Sequence, residues 1–366
     1  MLVGHTQEAE EEDVVRMLPS VDRPVSLAEV RTSACRERFL KLQPLTWLPV
    51  LLVFALISWA YYAYVLVFCL LIVAQGSIVE AVVFGVGFHL LLIMCLWSYT
   101  KTMTTAIPDV PPAYLLSVGE QQALANCRSE RTRRGLLEML ASERGIITIG
   151  PDGCARYCQM CQLLKPDRCH HCSACQRCIV KMDHHCPWFN NCICFNTYKF
   201  FLLTLFYAVA LCVYSVATLA AYSVASWSDA SLLKSYGFHL GFIVLVGSSL
   251  AVGLGTFLAM HLSMVSKNET TLEGLRNEVF QEYGDSFDLG SRYDNFVQVF
   301  GPRRSLWMVP VFTSVGDGVR FPTRLHPTRG AVESLPSTIV ATYTAATYST
   351  GSSSPEAIAD VVHIAQ

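Results

Sequence analysis

The stretch from Cys158 to Cys194 constrains the fold most strongly, because it concentrates nine cysteines and four histidines in one short segment. Clustered cysteines usually form disulfides in small secreted domains, but this chain has 366 residues. We expect no cleavable signal sequence, because the acidic run Glu8 to Asp13 stands where a basic start and an apolar stretch would be needed. The pattern therefore predicts reduced thiols bound to metal.

The spacing of these cysteines is typical of zinc knuckles. Two interlocking groups have two residues between successive cysteines, so that paired thiolates can share one tetrahedral Zn²⁺. With two histidines and one later cysteine they provide eight ligands, which fits two Cys3His sites. We predict two structural zinc ions, held by Cys158, Cys161, His171 and Cys178 and by Cys172, Cys175, His185 and Cys192.

This ligand assignment leaves three neighbouring polar residues, Asp183, His184 and Cys186, without a metal. A purely structural zinc module does not need them. They are the components of a nucleophilic site, with Cys186 as nucleophile, His184 as its base and Asp183 as the group that orients the imidazole. The sequence therefore predicts covalent catalysis at Cys186 beside structural zinc, and eight protein ligands argue against a metal-activated hydrolase with an open zinc position.

Four apolar stretches outside this segment are each long enough to cross a membrane, in a chain that is 52% hydrophobic and 15% charged. Basic residues precede the first stretch, follow the fourth and occur between the second and third, which predicts that both termini and the cysteine-rich loop are cytosolic. The predicted spans are Trp47 to Ala74, Val79 to Tyr99, Phe200 to Ser226 and Gly237 to Val265.

These features predict an α-helical integral membrane protein, namely a four-helix transmembrane bundle with a cytosolic two-zinc cysteine-rich domain. We expect the N-terminal segment and the Ser/Thr/Ala-rich tail to be largely disordered. The predicted regions are 1–45 (N-terminal segment), 46–102 (first two spans), 103–199 (loop with the cysteine-rich domain), 200–265 (last two spans), 266–323 (C-terminal region) and 324–366 (tail).

Two further patterns give local predictions. The range Glu120 to Arg144 has apolar residues at helical spacing among charges, which predicts one amphipathic helix that packs on the domain or rests on lipid headgroups. His89 and His261 fall within or near predicted spans, where ionisable groups are uncommon. We interpret both as hydrogen-bonded packing residues rather than parts of a polar pathway.

The same segments resemble the signature of the DHHC protein S-acyltransferase family. The resemblance extends beyond the fourth span, covers roughly Trp47 to Thr323, and is highly specific. The matching motifs are Cys158-x2-Cys161, Lys165-Pro166-x-Arg168, His170-His171-Cys172, Asp183-His184-His185-Cys186-Pro187-Trp188, Asn190-Asn191-Cys192, Thr270-Thr271-Leu272-Glu273 and Asn295 to Phe300.

The resemblance implies a palmitoyltransferase in which Cys186 takes the chain from a long-chain acyl-CoA and passes it to cysteines of membrane-proximal cytosolic proteins. It also implies that the CoA is bound by Arg156, Lys165, Arg168 and Trp188. By the same resemblance, Thr271 lies near Asp183, and Asn295 packs the C-terminal region against the catalytic loop. The expected location is a Golgi, endoplasmic reticulum, endosomal or plasma membrane, and no nucleic-acid partner is expected.

Two positions depart from the family pattern. Cys194 stands where the family usually has glycine, a residue that suits a tight turn. Thr197 separates Asn196 from Tyr198, where the family more often has asparagine next to the aromatic residue. Two other classes of function remain open on the residues alone. One is a membrane-tethered adaptor whose zinc module only binds partners, and the other is a zinc-dependent ubiquitin ligase or nucleic-acid binder.

Overall fold

The computed structural model describes residues 43–226, 230–276 and 279–329. The predictions for residues 1–42 and for the tail beyond residue 329 lie outside the described residues. In chain order the helices are α1 Leu48–Tyr61, α2 Ile78–Thr104, α3 Val118–Asn126, α4 Glu130–Glu143, α5 Tyr198–Ser226, α6 Ala230–Ser266, α7 Thr271–Leu275 and α8 Arg292–Phe300. Short 3₁₀ turns lie at Gln43–Trp47, Pro112–Tyr114 and Arg304–Leu306.

Four helices are long and apolar enough to cross a membrane, at Leu45–Gly76, Ile78–Thr104, Tyr198–Tyr222 and Tyr236–Ser266. The first continues from α1 through a wider, π-type helical segment, Tyr62–Val73, to a last turn at Ala74–Gly76. It ends there because Ser77 is extended and caps α2, its hydroxyl accepting a hydrogen bond from the backbone N–H of Glu80. The predicted fold class, a four-span bundle with a cysteine-rich domain between the second and third spans, is confirmed.

The bundle is built around α5, which packs along both α2 and α6. Gly87 of α2 permits a close approach, because a side chain there would collide with the ring of Tyr214 on α5. The core of the first span stacks the Tyr64 ring on Phe88 of α2, with centroids 4.5 Å apart. The Tyr64 hydroxyl also hydrogen-bonds Thr218 of α5 at 2.7 Å. Three spans are therefore joined by aromatic packing and one buried polar contact.

The predicted amphipathic helix from Glu120 to Arg144 is two helices, which corrects the sequence prediction. The chain breaks after α3, and the Ser129 side chain caps α4 by accepting a hydrogen bond from the N–H of Thr132. The apolar faces of α3 and α4 pack in the largest buried cluster of the extramembrane domain, together with Leu163 and Leu164. Of the two predicted roles, packing on the domain is the one that these residues have.

The cysteine-rich domain contains three short antiparallel hairpins, β2–β3, β4–β5 and β6–β7. A fourth strand pair joins it to the chain beyond the last span, because β1 pairs with β8 through Thr148 opposite Phe280. The strands are β1 Thr148–Ile149, β2 Tyr157–Cys158, β3 Leu163–Leu164, β4 His170–Cys172, β5 Arg177–Ile179, β6 His184–Cys186, β7 Asn191–Ile193 and β8 Val279–Phe280.

Candidate active site

The eight predicted zinc ligands come together in two groups of four. In each group one ligand atom from every residue lies within 4.8 Å of the others. The first cluster is Cys158, Cys161, His171 and Cys178, and the second cluster is Cys172, Cys175, His185 and Cys192. These are the two sets that the spacing predicts.

Distances within the clusters fit tetrahedral zinc. Ligand bonds of about 2.3 Å to sulfur and about 2.0 Å to nitrogen put neighbouring ligands roughly 3.5 to 3.8 Å apart. His171 Nδ1 lies 3.3 Å from Cys161 Sγ in the first cluster, and His185 Nδ1 lies 3.4 Å from Cys175 Sγ in the second. Cys175 and Cys192 place their sulfurs 3.4 Å apart. Each cluster, with three thiols and one imidazole, therefore suits one metal ion of this type.

Strand geometry explains why neighbouring residues serve different purposes. Successive side chains in a strand point to opposite faces. In β4, His171 joins the first cluster while Cys172 joins the second. In β6, His185 joins the second cluster, so His184 and Cys186 share the opposite face. The alternation therefore places His184, the proposed base, on the same face as Cys186, the proposed nucleophile, and directs His185 towards the second cluster.

His184 is held from one side by a short hydrogen bond. Its Nδ1 lies 2.6 Å from Oδ2 of Asp183, a side chain that is 1% exposed. Burial by itself would lower the pKa of His184, but hydrogen bonds to Asp183 and Cys186 outweigh burial and raise this pKa to about 9. Burial alone would raise the pKa of the Asp183 carboxyl. Its hydrogen bonds with His184 and Thr271 outweigh burial and lower this pKa. The site favours an imidazolium beside a carboxylate.

Thr271, the first residue of α7, completes the environment of Asp183. Its backbone N–H and its hydroxyl each donate a hydrogen bond of 2.9 Å to the Asp183 carboxylate. The predicted proximity of Thr271 to Asp183 is confirmed. Thr270 caps α7 in a reciprocal pair with Glu273, which fixes the orientation of this helix start.

Arg168 connects the cysteine-rich domain to this same helix start. Its guanidinium forms two hydrogen bonds of 2.7 Å to Glu273 and also donates to Oδ1 and the backbone carbonyl of Asn268. Phe287 covers one face of the guanidinium at 4.4 Å. The Arg168–Glu273 pair therefore ties the turn just before β4 to the segment that presents Thr271.

This burial corrects the prediction that Arg168 binds CoA. The side chain is 0% exposed, and four hydrogen bonds and two aromatic rings already surround its guanidinium. A phosphate at the surface has no access to it. Arg156 and Lys165 are half-buried, with the Arg156 guanidinium donating to Thr148 and to the Cys169 carbonyl. Trp188 is exposed beside the nucleophile.

The strand that contains Cys186 is attached to the end of the second span by a residue whose role sequence reasoning missed. Asn191, opposite Cys186 in the β6–β7 hairpin, donates hydrogen bonds to the carbonyls of Thr102, Met103 and Thr105. Carbonyls at a helix C-terminus lack partners within the helix, so an amide that reaches three of them fixes the hairpin there. No local sequence signal indicates this contact, because it joins residues almost 90 positions apart.

Cys186 itself lies against the apolar end of the bundle. It is 7% exposed and belongs to a buried cluster with Tyr99 of α2 and Phe201 of α5. The Tyr99 hydroxyl donates to the Trp188 carbonyl at 2.7 Å, two residues beyond the nucleophile. The thiol is therefore placed where the polar domain meets the membrane-spanning helices.

His261 of α6 lies next to His184 and is surrounded by aromatic rings. Its ring centroid is 6.0 Å from that of His184 and 4.6 Å from that of Phe257. Nδ1 is 3.1 Å from the Tyr198 hydroxyl, whereas Nε2 is buried and has no hydrogen-bond partner. The sequence interpretation of a satisfied packing histidine is therefore right for one ring nitrogen and wrong for the other.

The two departures from the family pattern fit without strain. Cys194 is buried and is absent from the positive-φ residues in the described chain, so its backbone does not require glycine. The Thr197 hydroxyl accepts a hydrogen bond from the Cys194 N–H and donates to the Cys192 carbonyl, both at 2.9 Å. Thr197 thus supports the turn that follows the second cluster.

Asn295 of α8 has different partners from those predicted. Its side-chain amide donates to the Ser266 carbonyl at 2.8 Å and to Asp288, and its oxygen accepts from the Leu289 N–H. Asn295 therefore attaches α8 to the end of the fourth span and not to the catalytic loop. Its effect on the site is indirect, through the segment between Ser266 and Thr271.

Comparison with known proteins gives matches over most of the chain. The profile of the family described as DHHC palmitoyltransferase matches residues 153–278. Palmitoyltransferase ZDHHC2 of Mus musculus is 41% identical over 77% of this chain and 76% of its own length. Palmitoyltransferase ZDHHC20-A of Danio rerio is 39% identical over 77% of this chain and 78% of its own. Palmitoyltransferase ZDHHC20 of Homo sapiens is 39% identical over 76% and 77%.

Proposed function

The chain belongs to the DHHC palmitoyltransferase family, and on this premise we propose that Cys186 carries the acyl group between a long-chain acyl-CoA and a protein substrate. The hydrogen-bonded Asp183–His184 pair on the same strand face as Cys186 is the observation that carries this proposal.

In the first step the Cys186 thiol gives its proton to His184, and the thiolate attacks the thioester carbonyl carbon of acyl-CoA. The carbon–sulfur bond to CoA breaks, and CoA leaves as its thiol after taking the proton from His184. Asp183 accepts the Nδ1 hydrogen bond and stabilises the imidazolium that exists between these transfers. One thioester is exchanged for another, so no oxidant and no metal-bound water is required.

The second step repeats this chemistry in the opposite direction. A substrate cysteine gives its proton to His184 and attacks the acyl carbonyl on Cys186. The bond between the acyl carbon and the Cys186 sulfur breaks, and His184 returns the proton to Cys186. Because His184 serves as base and then acid in both steps, fixing one tautomer through Asp183 supports both.

The position of Cys186 suits a lipid substrate. Transfer of one CH₂ group from water to an apolar environment is worth about 0.8 kcal/mol, so a C16-type chain is strongly favoured within the bundle or bilayer. The thiol lies against Tyr99 and Phe201 at the cytosolic end that we propose for the bundle. Substrate cysteines should accordingly lie close to the membrane.

CoA carries phosphates, for which we retain Arg156 and Lys165 as ligands and Trp188 as an exposed apolar contact beside the thioester. Arg168 is left out, because its guanidinium is fully engaged. The two clusters would hold Zn²⁺, which when bound supplies cross-links between the hairpins. Cys186, His184 and Asp183 are not members of either cluster.

We further propose that both termini and the cysteine-rich domain face the cytosol, since acyl-CoA and the basic residues that flank the spans favour that side. The Golgi, endoplasmic reticulum, endosomes and plasma membrane all remain predictions for the compartment. Insertion of a glycosylation site between the first two spans, at residue 77, and another in the tail tests the orientation. Only the first should be glycosylated.

The acyl-enzyme is tested with an alkyne-tagged palmitoyl-CoA and detergent-purified protein. Wild type should take up a label that hydroxylamine removes, because the bond is a thioester. Cys186→Ser should lose it entirely. Cys154→Ser is the matched control, since Cys154 lies in the same domain outside both clusters, and its labelling should equal that of wild type.

Two outcomes would contradict the proposal. Full labelling of Cys186→Ser would place the acyl group on another cysteine. An unlabelled wild type with two metal ions bound would exclude an acyl-enzyme from this donor and favour a partner-binding role for the domain.

A further inference from the structure

The chain after α8 forms a loop that returns to the membrane-spanning bundle. This interface loop, residues 303–312, is held against α5 by two polar side chains. Lys199 Nζ donates to the carbonyls of Leu306 and Val311, both at 2.9 Å. The Tyr207 hydroxyl donates to the Met308 carbonyl at 2.7 Å. These are backbone contacts, so they fix the path of the loop.

The position of Tyr207 along α5 shows how deep the interface loop lies relative to a bilayer. The membrane-spanning part of α5 ends at Tyr222, fifteen residues after Tyr207, which corresponds to about 22 Å at ~1.5 Å per residue. The hydrocarbon core of a bilayer is roughly 30 Å thick. A helix that spans this thickness from Tyr222 therefore reaches the opposite boundary close to Leu202, between Lys199 and Tyr207. The loop carbonyls that Lys199 and Tyr207 contact accordingly place the loop across this boundary.

The outward side chains of the interface loop suit this level. Met308 is 43% exposed and Phe312 is 48% exposed, and Phe206 on the adjacent turn of α5 is also exposed. Met308 is held by Tyr207, whose ring contacts Phe206. The Phe312 ring contacts Phe195 just before α5. These exposed side chains therefore lie along the beginning of the span. A soluble surface would leave these side chains in water, whereas a bilayer boundary covers them.

Two exposed basic residues precede the apolar part of the loop. Arg303 and Arg304 are both exposed, and the Arg304 guanidinium lies 4.6 Å from the centre of the Tyr293 ring on α8. A basic pair followed by Trp307 and apolar residues is the arrangement found where protein meets headgroups and acyl chains. Trp307 is anchored internally, its indole N–H donating to the Gly301 carbonyl at 2.8 Å.

We propose that the interface loop is a lipid-binding surface, with Met308 and Phe312 at the acyl-chain boundary and Arg303 and Arg304 on anionic phospholipid headgroups. This surface requires that the four helices span a bilayer and is independent of the proposed chemistry at Cys186. The loop is continuous with α8, whose Asn295 holds the end of the fourth span. The bilayer thereby supports the segment that carries Thr271 to Asp183.

Photo-crosslinking in nanodiscs tests whether the apolar side chains of the interface loop contact lipid acyl chains. A benzoylphenylalanine at position 312 should give lipid adducts, detected by mass spectrometry, as should the same probe at the span residue Phe206. The matched control is position 283, because Tyr283 is fully exposed next to β8 in the extramembrane part. Adducts at 206 but none at 312, in protein that retains both metal ions, would overturn the proposal.

The lipid composition of the adducts at position 312 tests whether Arg303 and Arg304 bind anionic headgroups. In nanodiscs of mixed phosphatidylserine and phosphatidylcholine, the adducts should be enriched in phosphatidylserine relative to the bulk lipid. Substituting Arg303→Gln should lower the enrichment by about fivefold or less, the factor for one basic residue near an anionic surface. Arg303→Gln with Arg304→Gln should abolish it. Unchanged enrichment in the double variant, or its loss on adding free coenzyme A, would overturn the assignment to headgroups.

Discussion

The two Cys3His clusters have the same ligands but different surroundings. The first cluster packs into the large apolar core formed by α3, α4 and the β2–β3 hairpin, which includes Leu116, Leu136 and Leu163. The second cluster is surrounded by a small group of apolar residues, including Ile107 and Ile179. Its β6–β7 hairpin carries His184 and Cys186 and is attached to the membrane bundle by Asn191. The same set of ligands therefore lies in the main core of the domain at one cluster and beside the proposed nucleophile at the other.

Chelation of both clusters is the change with the largest expected effect. Structural zinc sites contribute roughly 10 to 16 kcal/mol of apparent binding free energy in peptides, and this energy is also folding energy. We expect stripped protein to lose two metal ions per chain, its cooperative thermal transition and all acyl transfer together. Elemental analysis, thermal unfolding and labelling are measured on the same samples. Acyl transfer that survives complete metal loss would contradict a structural role.

Single ligand substitutions separate the two clusters. Cys161→Ser should bind one metal ion and show the greater fall in melting temperature, because the first cluster holds the main core. Cys192→Ser should also bind one metal ion and lose acyl transfer at a melting temperature closer to that of wild type. Metal content, differential scanning fluorimetry and labelling provide the readouts. The opposite ranking of the two melting temperatures would reverse the comparison.

The Arg168–Glu273 pair tests how the second cluster is joined to the C-terminal region. Glu273→Gln leaves a buried guanidinium without its counter-charge, a change that costs about 3 to 5 kcal/mol in comparable buried pairs. Replacing both residues, Arg168→Met with Glu273→Met, removes both charges and should recover part of the melting temperature. A double variant less stable than Glu273→Gln would show that the hydrogen bonds to Asn268 dominate.

Thr271→Val is the most local change. It removes the hydroxyl bond to Asp183 and keeps the backbone N–H bond. A hydrogen bond to a charged group contributes about 1.5 to 3 kcal/mol, so the acylation rate should fall by roughly 10- to 100-fold. Both metal ions and the melting temperature should be retained, and Thr271→Ser should restore most of the rate. Metal loss in Thr271→Val would indicate that the segment supports the second cluster as well as Asp183.

Sequence patterns predicted the parts of this site that depend on local order. Two-residue spacing between cysteines and the alternation along strands are properties of the backbone, so the eight ligands and the remaining Asp183, His184 and Cys186 follow from the chain itself. The four spans follow for a similar reason, because roughly 20 apolar residues suffice to cross a bilayer. The break between α3 and α4 was missed although Ser129 is a recognisable cap, because apolar periodicity continues across it.

Contacts between distant segments were not available from these patterns. Arg168 was predicted to bind CoA because its side chain is basic, and only the fold shows that Glu273, 105 residues later, pairs with it. The same is true of Asn191 on the last carbonyls of α2 and of Asn295 on the end of α6. In each case the side chain has several possible partners, and its choice depends on which helix ends and loops the tertiary structure brings within hydrogen-bond distance.

The sequence by itself determined that this chain has four segments long and apolar enough to cross a membrane, with thiols, imidazoles and a carboxylate gathered between the second and third. Hydrophobic length, ligand spacing and strand alternation act within short segments, so they need no knowledge of the rest of the chain. Only the tertiary structure decided that Cys186 lies against the apolar end of the bundle and that Asp183 is held by Thr271. Those positions result from packing α2, α5 and the chain beyond the fourth span around one hairpin.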